Sequence, residues 1–316
     1  MSDGEMRNIY KINIWIELTN RCNYNCLYCY NDKEEKINKK NKFNIKILSH
    51  IKKQLDNNFH LDGICISGGE PFLVQNIGDI LEALSNWNVP KQITTNGSLL
   101  TDNYLLFTIE NGFTLHIPLL ASYSGLHDYL TSTKGAWENS IKIISKVVRA
   151  QGHVVIVFVG TKLNINELPK IIEIAAILGV KYIILNIFYP ISGSGKQHNF
   201  QIGLDNWQNI MDIIASAISI AKKNRIILLL GTPIPYMEKS LSLETMCFGR
   251  KQKRIIIDKF GNIRTCLQES VYIGNIFTDS IVQVMRSDSF CQREMVLERC
   301  SYWNGIIKNK IALNKT

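Results

Sequence analysis

A chain of 316 residues that is 46% hydrophobic and 20% charged has the composition of an ordinary globular protein, which excludes disordered and collagen-like classes. Its length suits one large domain, or a large domain with a small appendage. The formal charge of +9 raises nucleic acid as a partner, but the basic residues are scattered apart from Lys33, Lys36, Lys39, Lys40 and Lys42, partly offset by Asp32, Glu34 and Glu35, and from Arg250, Lys251, Lys253 and Arg254, clusters that read as solvated surface rather than a nucleic-acid or leader-peptide patch.

The opening residues are polar and mixed in charge, unlike a signal peptide. No apolar run reaches bilayer length; the greasy stretch 210–221 is short and carries Asp212. A cytoplasmic protein without membrane contact is therefore expected, and its eight cysteines, kept reduced, read as metal ligands where they cluster. Along the chain, strand-like runs at 12–18, 63–67, 92–95, 114–120, 154–160, 182–187 and 226–230 alternate with helix-like runs at 45–55, 76–84, 103–110, 138–150, 167–178 and 205–223. The run from Glu167 is typical: Asn166 offers a cap, Pro169 suits a first turn, Gly179 suits the exit, and Leu168, Ile171, Ile172, Ala175 and Leu178 share a face. Strand followed by helix, repeated, implies an α/β protein with a parallel sheet closed or partly closed into a barrel, whose sites gather at the carboxyl ends of the strands. Beyond about residue 235 the rhythm changes to a β-hairpin, 254–258 and 262–266 around Lys259-Phe260-Gly261, and a short helix at 279–286.

Directly after the first strand comes Cys22-x3-Cys26-x2-Cys29. Iron-sulfur clusters usually take four thiolates, so three from one tight loop leave one iron of a four-iron cluster open. Zinc is the rival, but it usually takes four ligands and no His lies nearby. Thr19, Cys22, Asn23, Cys26, Tyr28, Cys29 and Tyr30 resemble the signature loop of the radical S-adenosylmethionine (SAM) superfamily, including the aromatic residue before the third cysteine. The resemblance implies a 4Fe-4S cluster whose open iron chelates the amino and carboxylate groups of SAM. Reductive cleavage then gives methionine and a 5′-deoxyadenosyl radical that abstracts a substrate hydrogen. It also implies a partial (β/α)6 TIM-like barrel over residues 1–235.

Gly68-Gly69-Glu70-Pro71 follows the second strand. Its glycines let backbone approach a ligand, and Glu70 offers a carboxylate or carbonyl acceptor to an ammonium group. Alone it is a turn; one strand after the cysteine loop it resembles the family's motif for the methionyl amino group. Thr94-Thr95-Asn96-Gly97 resembles a segment beside SAM, with Thr94 and Asn96 as cofactor contacts. Ser122, and Lys162 or Asn164, fall where the family often contacts the carboxylate or ribose. His127-Asp128 resembles a pair common in the peptide-modifying branch, and a structural role at a helix start explains it equally. Cys65, between Ile64 and Ile66, reads as a small core residue.

Cys247, Gly249, Gly261, Cys266 and Gly274-Asn275-Ile276 look like the opening of a SPASM or twitch domain, implying an auxiliary iron-sulfur domain over residues 236–316. Only Cys291 and Cys300 remain of the later cysteine-dense segment. Cys247, Cys266, Cys291 and Cys300 can fill one auxiliary 4Fe-4S cluster and not two, which favours twitch. Cys291 is either the fourth ligand or a catalytic thiol donating hydrogen to a substrate radical.

The resemblance spans residues 14–302 and implies chemistry more firmly than substrate. The first expectation is modification of a ribosomally made peptide, since the His127 region and residues 190–195 resemble that branch; the alternative is a small-molecule (sugar or aminocyclitol) dehydrogenase or epimerase. About a dozen residues precede the first strand, too few for a folded leader-binding domain, so the peptide reading expects a separate leader-peptide recognition protein, or none, among the partners. A reductant such as flavodoxin or ferredoxin is the other. An iron-sulfur carrier or redox sensor would leave Gly68 to Pro71 without a purpose.

Overall fold

In the first strand, β1 (Tyr10–Glu17), Ile12, Ile14 and Ile16 are fully buried, while Asn13 and Trp15 between them are half-buried. That period of two assigns one sheet face to the helices and the other to the interior of the curved sheet. The computed structural model describes residues 10–31, 41–55, 59–188, 200–202, 207–232, 253–267 and 271–287. Six further strands follow: β2 (Phe59–Ser67), β3 (Lys91–Thr94), β4 (Phe113–Pro118), β5 (His153–Gly160), β6 (Tyr182–Ile187) and β7 (Ile227–Leu230). Each pairs in parallel with its predecessor, so the expected parallel sheet extends over seven strands in chain order.

The crossovers carry α1 (Lys46–Leu55), α2 (Ile77–Ser85), α3 (Asp102–Glu110), α4 (Ser124–Thr131), α5 (Ala136–Arg149), α6 (Leu168–Leu178) and α7 (Trp207–Lys223). The main core lies between these helices and the Ile-rich sheet face: Ile14, Ile66, Ile93, Leu115, Ile156 and Ile183 pack with Ile51, Ile80, Ile144 and Ile172. In α6 four of the five residues expected on one face, Leu168, Ile171, Ile172 and Ala175, are buried and Leu178 is half-buried, and Gly179 at φ 79° closes the helix. Asn166 does not cap it. A 3-10 turn, Ile165–Glu167, leads in instead.

The hairpin continues the same sheet on the far edge of β1. Strand β8 (Lys253–Ile257) pairs in parallel with β1, Ile14 opposite Ile255 and Ile16 opposite Ile257. Strands β9 (Asn262–Arg264) and β10 (Gly274–Asn275) follow antiparallel, then α8 (Ile281–Arg286). The order β10-β9-β8-β1-β2-β3-β4-β5-β6-β7 has two distinct ends, so this mostly parallel sheet is open. Among the described residues no helix is long and apolar enough to cross a membrane.

The short α4 carries His127 and Asp128, and the structure gives both a packing role. Fully buried His127 accepts at Nδ1 from the Leu120 N–H (3.1 Å), and burial pushes its imidazole down to about 4. The Asp128 carboxylate accepts from the N–H groups of Gly135 (2.7 Å) and Trp137 (2.9 Å), satisfying the first turn of α5. Asp128→Ala is expected to lower stability by about 1–2 kcal/mol, measured by denaturant unfolding, with iron content unchanged in the folded fraction.

Candidate functional site

Three strand-end loops meet where β1, β2 and β3 finish. The loop after β1 carries Cys22, Cys26 and Cys29, all half-buried and none in a disulfide. Short backbone bonds hold it: the Gly69 N–H donates to the Thr19 carbonyl (2.6 Å), the Glu70 N–H to the Arg21 carbonyl (2.7 Å), and the Leu27 N–H to the Leu130 carbonyl at the end of α4 (2.8 Å). Gly68 and Gly69 permit this contact. A β-carbon on Gly68, at φ +128°, would sit 2.4 Å from the Thr19 oxygen, and one on Gly69 would sit 1.9 Å from the Arg21 oxygen. The glycines expected to admit a ligand thus admit the backbone of the cysteine loop.

Glu70 departs from expectation in the same way. Its carboxylate, with no solvent exposure, accepts from the Phe72 N–H (3.1 Å), the Thr95 hydroxyl (2.6 Å) and the Asn96 N–H (2.8 Å). Burial pushes it up to about 6 against the pull of those donors. It therefore joins the second loop to the third, and the acceptors left for an ammonium group are backbone carbonyls: among the described residues, none donates to those of Gly68 and Gly69.

Asn96 completes the frame. Its Nδ2 donates to Asn23 Oδ1 (2.9 Å) and lies 3.8 Å from Cys22 Sγ, while Ser98 links Asn96 Oδ1 (2.6 Å) to Asn23 Nδ2 (2.7 Å). The Tyr24 N–H also points at Cys22 Sγ (3.4 Å). Burial, followed by the charge of the Cys26 thiolate, pushes the Tyr28 hydroxyl well above its ordinary range, marking how closely it lies against that sulfur. Donors aimed at sulfur favour a thiolate, so the donor set fits a cluster with one thiolate per iron. Among the described residues no three His, Cys, Asp or Glu side chains converge on a position for a single ion.

The remaining predicted contacts divide. Thr94 is half-buried on the inner face, its hydroxyl 3.7 Å from Cys65 Sγ. Cys65 is buried as expected, but faces the interior and not the helices, and burial pushes its thiol up to about 12. Ser122 donates from its N–H (3.0 Å) and its hydroxyl to Glu167, which in sequence is marked only as a helix start. Partial burial raises the Glu167 carboxyl, yet these bonds and the Lys170 ammonium hold it below its ordinary value.

Asn164 is corrected from ligand contact to brace. Fully buried, it donates to the carbonyls of Leu120 (2.8 Å) and Val159 (3.0 Å) and accepts from Thr161 N–H and hydroxyl (both 2.7 Å), which uses its amide completely. Lys162 is exposed. Cys266 is exposed beyond β9; Cys247, Cys291, Cys300 and residues 190–195 lie outside the described residues.

Two further inward-facing groups escaped the motifs. Glu17 pairs across the sheet with Ser67, and Thr94 with His116, one residue beyond the pairing of Ile66 with Ile93, so the four form one row. His116 is buried, and that burial, with the nearby Arg254 cation, pushes its imidazole down to about 4. Polar residues alternating with Ile and Leu in short strands carried the signal for both.

A profile of the radical SAM superfamily matches residues 16–175. The subtilosin biosynthesis protein AlbA of Bacillus subtilis, an antilisterial bacteriocin pathway protein, is 26% identical over 289 residues; the match covers 86% of this chain but only 58% of AlbA. A probable GTP 3′,8-cyclase of Saccharolobus islandicus is 27% identical over 262 residues, 80% of this chain and 81% of that protein. Streptococcus suis SuiB bound to its precursor peptide SuiA superposes over 90% of this chain and 67% of its own with a TM-score of 0.70 at 16% identity. Native anSMEcpe with bound AdoMet and a Cp18Cys peptide gives 0.72 at 14% identity, over 93% of this chain and 87% of its own. At those identities the two structures attest the fold.

Two measurements probe this frame. Gly69→Ala is expected to cut iron incorporation severely, whereas Gly78→Ala, whose β-carbon would meet only the Tyr104 ring at 3.8 Å or beyond, leaves it intact. His116 at about 4, against an ordinary 6.5, means that below pH 6.5 only the unfolded chain takes up this proton, so stability falls as pH drops from 6.5 towards 4. Denaturant unfolding should show His116→Leu escaping about 3 kcal/mol of the wild-type acid loss.

Proposed function

Because the chain belongs to the radical SAM superfamily, a family that implies a 4Fe-4S cluster and SAM, we propose that it modifies a ribosomally made peptide through a hydrogen-abstracting radical. When bound, the cluster supplies the electron that cleaves SAM to methionine and the 5′-deoxyadenosyl radical. Cys22, Cys26 and Cys29 hold it, with Tyr24 N–H and Asn96 Nδ2 turned towards the Cys22 sulfur. The carbonyls of Gly68 and Gly69 receive the methionyl ammonium, and Thr94 and Asn96 flank the cofactor. Ser122 borders it through its tie to Glu167. The observation that carries this reading is the short backbone clamp from Gly69 and Glu70 onto Thr19 and Arg21, which fixes a ligand-accepting turn against the cysteine loop.

In the C-terminal part, Cys247, Cys266, Cys291 and Cys300 hold one auxiliary 4Fe-4S cluster within residues 236–316, with Cys291 as fourth ligand or as hydrogen-donating thiol. A flavodoxin or ferredoxin delivers the electron. The peptide reading is supported by AlbA, named for bacteriocin biosynthesis, and by the peptide-bound states of SuiB and anSMEcpe. A small-molecule substrate is the second reading. It is favoured by the GTP 3′,8-cyclase relatives, whose whole length is better covered by this chain than AlbA's.

Anaerobically reconstituted, dithionite-reduced protein is expected to convert SAM to 5′-deoxyadenosine, and the Cys22→Ala, Cys26→Ala and Cys29→Ala variants to fall to background. With deuterated precursor peptides from neighbouring genes, deuterium should appear in 5′-deoxyadenosine. Deuterium arriving instead from GTP, a sugar or an aminocyclitol establishes the second reading, and no SAM cleavage at all overturns both.

A further inference from the structure

Glu17 ends β1 as a carboxylate in a strand whose neighbours are Ile16 and Leu18, and it is only 3% exposed. Burying an ionised carboxylate costs several kcal/mol unless it is paired. Its two oxygens are divided. Oε1 accepts from the Tyr30 hydroxyl (3.1 Å), and Oε2 accepts from Arg264 Nη2 (2.5 Å). Tyr30 follows Cys29 directly in the cluster loop, and Arg264 ends β9 two residues before Cys266. One buried carboxylate thus touches both cysteine-bearing segments, across 247 residues of sequence.

Attachment of the hairpin does not require this ion pair. Ile255 and Ile257 of β8 already zip along β1, and the Gln54 side chain of α1 accepts from the Ile281 N–H (2.7 Å) and donates to the carbonyls of Ile276 and Asp279 (both 3.4 Å). Asp258, the other carboxylate near Glu17, is engaged by the Phe260 and Asn262 N–H groups and by Asn262 Nδ2. Replacing a buried pair by apolar residues is often neutral for stability, so the pair's distinctive contribution is two opposed buried charges held beside the cluster loop, the carboxylate bonded to Tyr30 and the guanidinium balancing it. Arg264 is itself only 12% exposed, so its field is poorly screened.

We propose that Glu17 is a positioning residue that seats the Arg264 guanidinium against Tyr30, so that the charge balance of this pair sets the reduction potential of the cluster held by Cys22, Cys26 and Cys29. This rests on the reading of those three cysteines as cluster ligands. Charge, burial and hydrogen bonding around a cluster are the levers by which a protein sets its potential.

The test is a reductive titration of the reconstituted full-length protein followed by electron paramagnetic resonance, with iron content measured alongside. Glu17→Gln leaves the guanidinium uncompensated and is expected to raise the midpoint potential. Arg264→Met leaves the carboxylate uncompensated and is expected to lower it, and the double variant returns towards wild type. Shifts of the same sign in both single variants, or no shift with iron intact, overturn the proposal. Should either variant fail to fold, Tyr30→Phe, which removes one hydroxyl and keeps the ion pair, is expected to lower the potential by a smaller amount; an unchanged potential there also overturns it. The underlying readings fail separately: Cys22→Ala that loses no iron overturns the cluster assignment, and Cys266→Ala that keeps the roughly four irons of an auxiliary cluster removes Cys266 as a ligand without touching the proposal.

Discussion

Arg21 and Gly69 approach so closely that the space of a single β-carbon separates a formed site from a broken one. With that approach, the N–H groups of Gly69 and Glu70 satisfy the carbonyls of Thr19 and Arg21 immediately before Cys22. The cysteine loop is then a continuation of the sheet and not a free excursion. Its geometry is inherited from the rigid parallel pairing of β1 with β2 beneath it.

The same solution recurs around the rim with buried or half-buried side chains in place of backbone. Where a strand ends, amide groups lose their sheet partners and need an acceptor. Glu70 supplies one between the loops after β2 and β3 and Glu167 between those after β4 and β5, while Glu17 joins the cysteine loop to the β9 segment by accepting from the Tyr30 hydroxyl and the Arg264 guanidinium. Asn164 does the same without charge, accepting from the Thr161 N–H and also donating to the carbonyls of Leu120 and Val159. A carboxylate offers several lone-pair sites in a small volume, which suits it to joining loops from different strands. Each such buried group also makes its position intolerant of substitution, because removing one partner leaves the others unsatisfied.

This economy explains why the rim was only half legible in advance. Cys22, Cys26 and Cys29 announce themselves because ligand spacing is local, and Gly68 to Pro71 because glycine pairs are rare enough to mark a special turn. Glu70, Ser122 and Asn164 were each expected to face a ligand; in the structure Glu70 and Asn164 direct their side-chain polar atoms at the protein, while Ser122 points its donors at Glu167. Asp128 takes the structural role at a helix start that its sequence allowed, as capping acceptor for the helix that begins eight residues later. A polar residue at a strand end looks the same in sequence whether it holds a ligand or another loop.

The sequence by itself determined the alternation of strands and helices, the parallel sheet, the Gly179 stop of α6 and the three-cysteine loop at the carboxyl end of the first strand, because each rests on periodicity or on residues a few positions apart. Only the tertiary structure decided that the glycines face backbone, that Glu70 is internal, that the hairpin joins the far edge of β1, and that Glu17 meets Tyr30 and Arg264. Apart from the local Phe72 bond to Glu70, those contacts connect residues from 13 to 247 positions apart. Their partners are chosen by register and burial across the folded sheet, which no local pattern encodes.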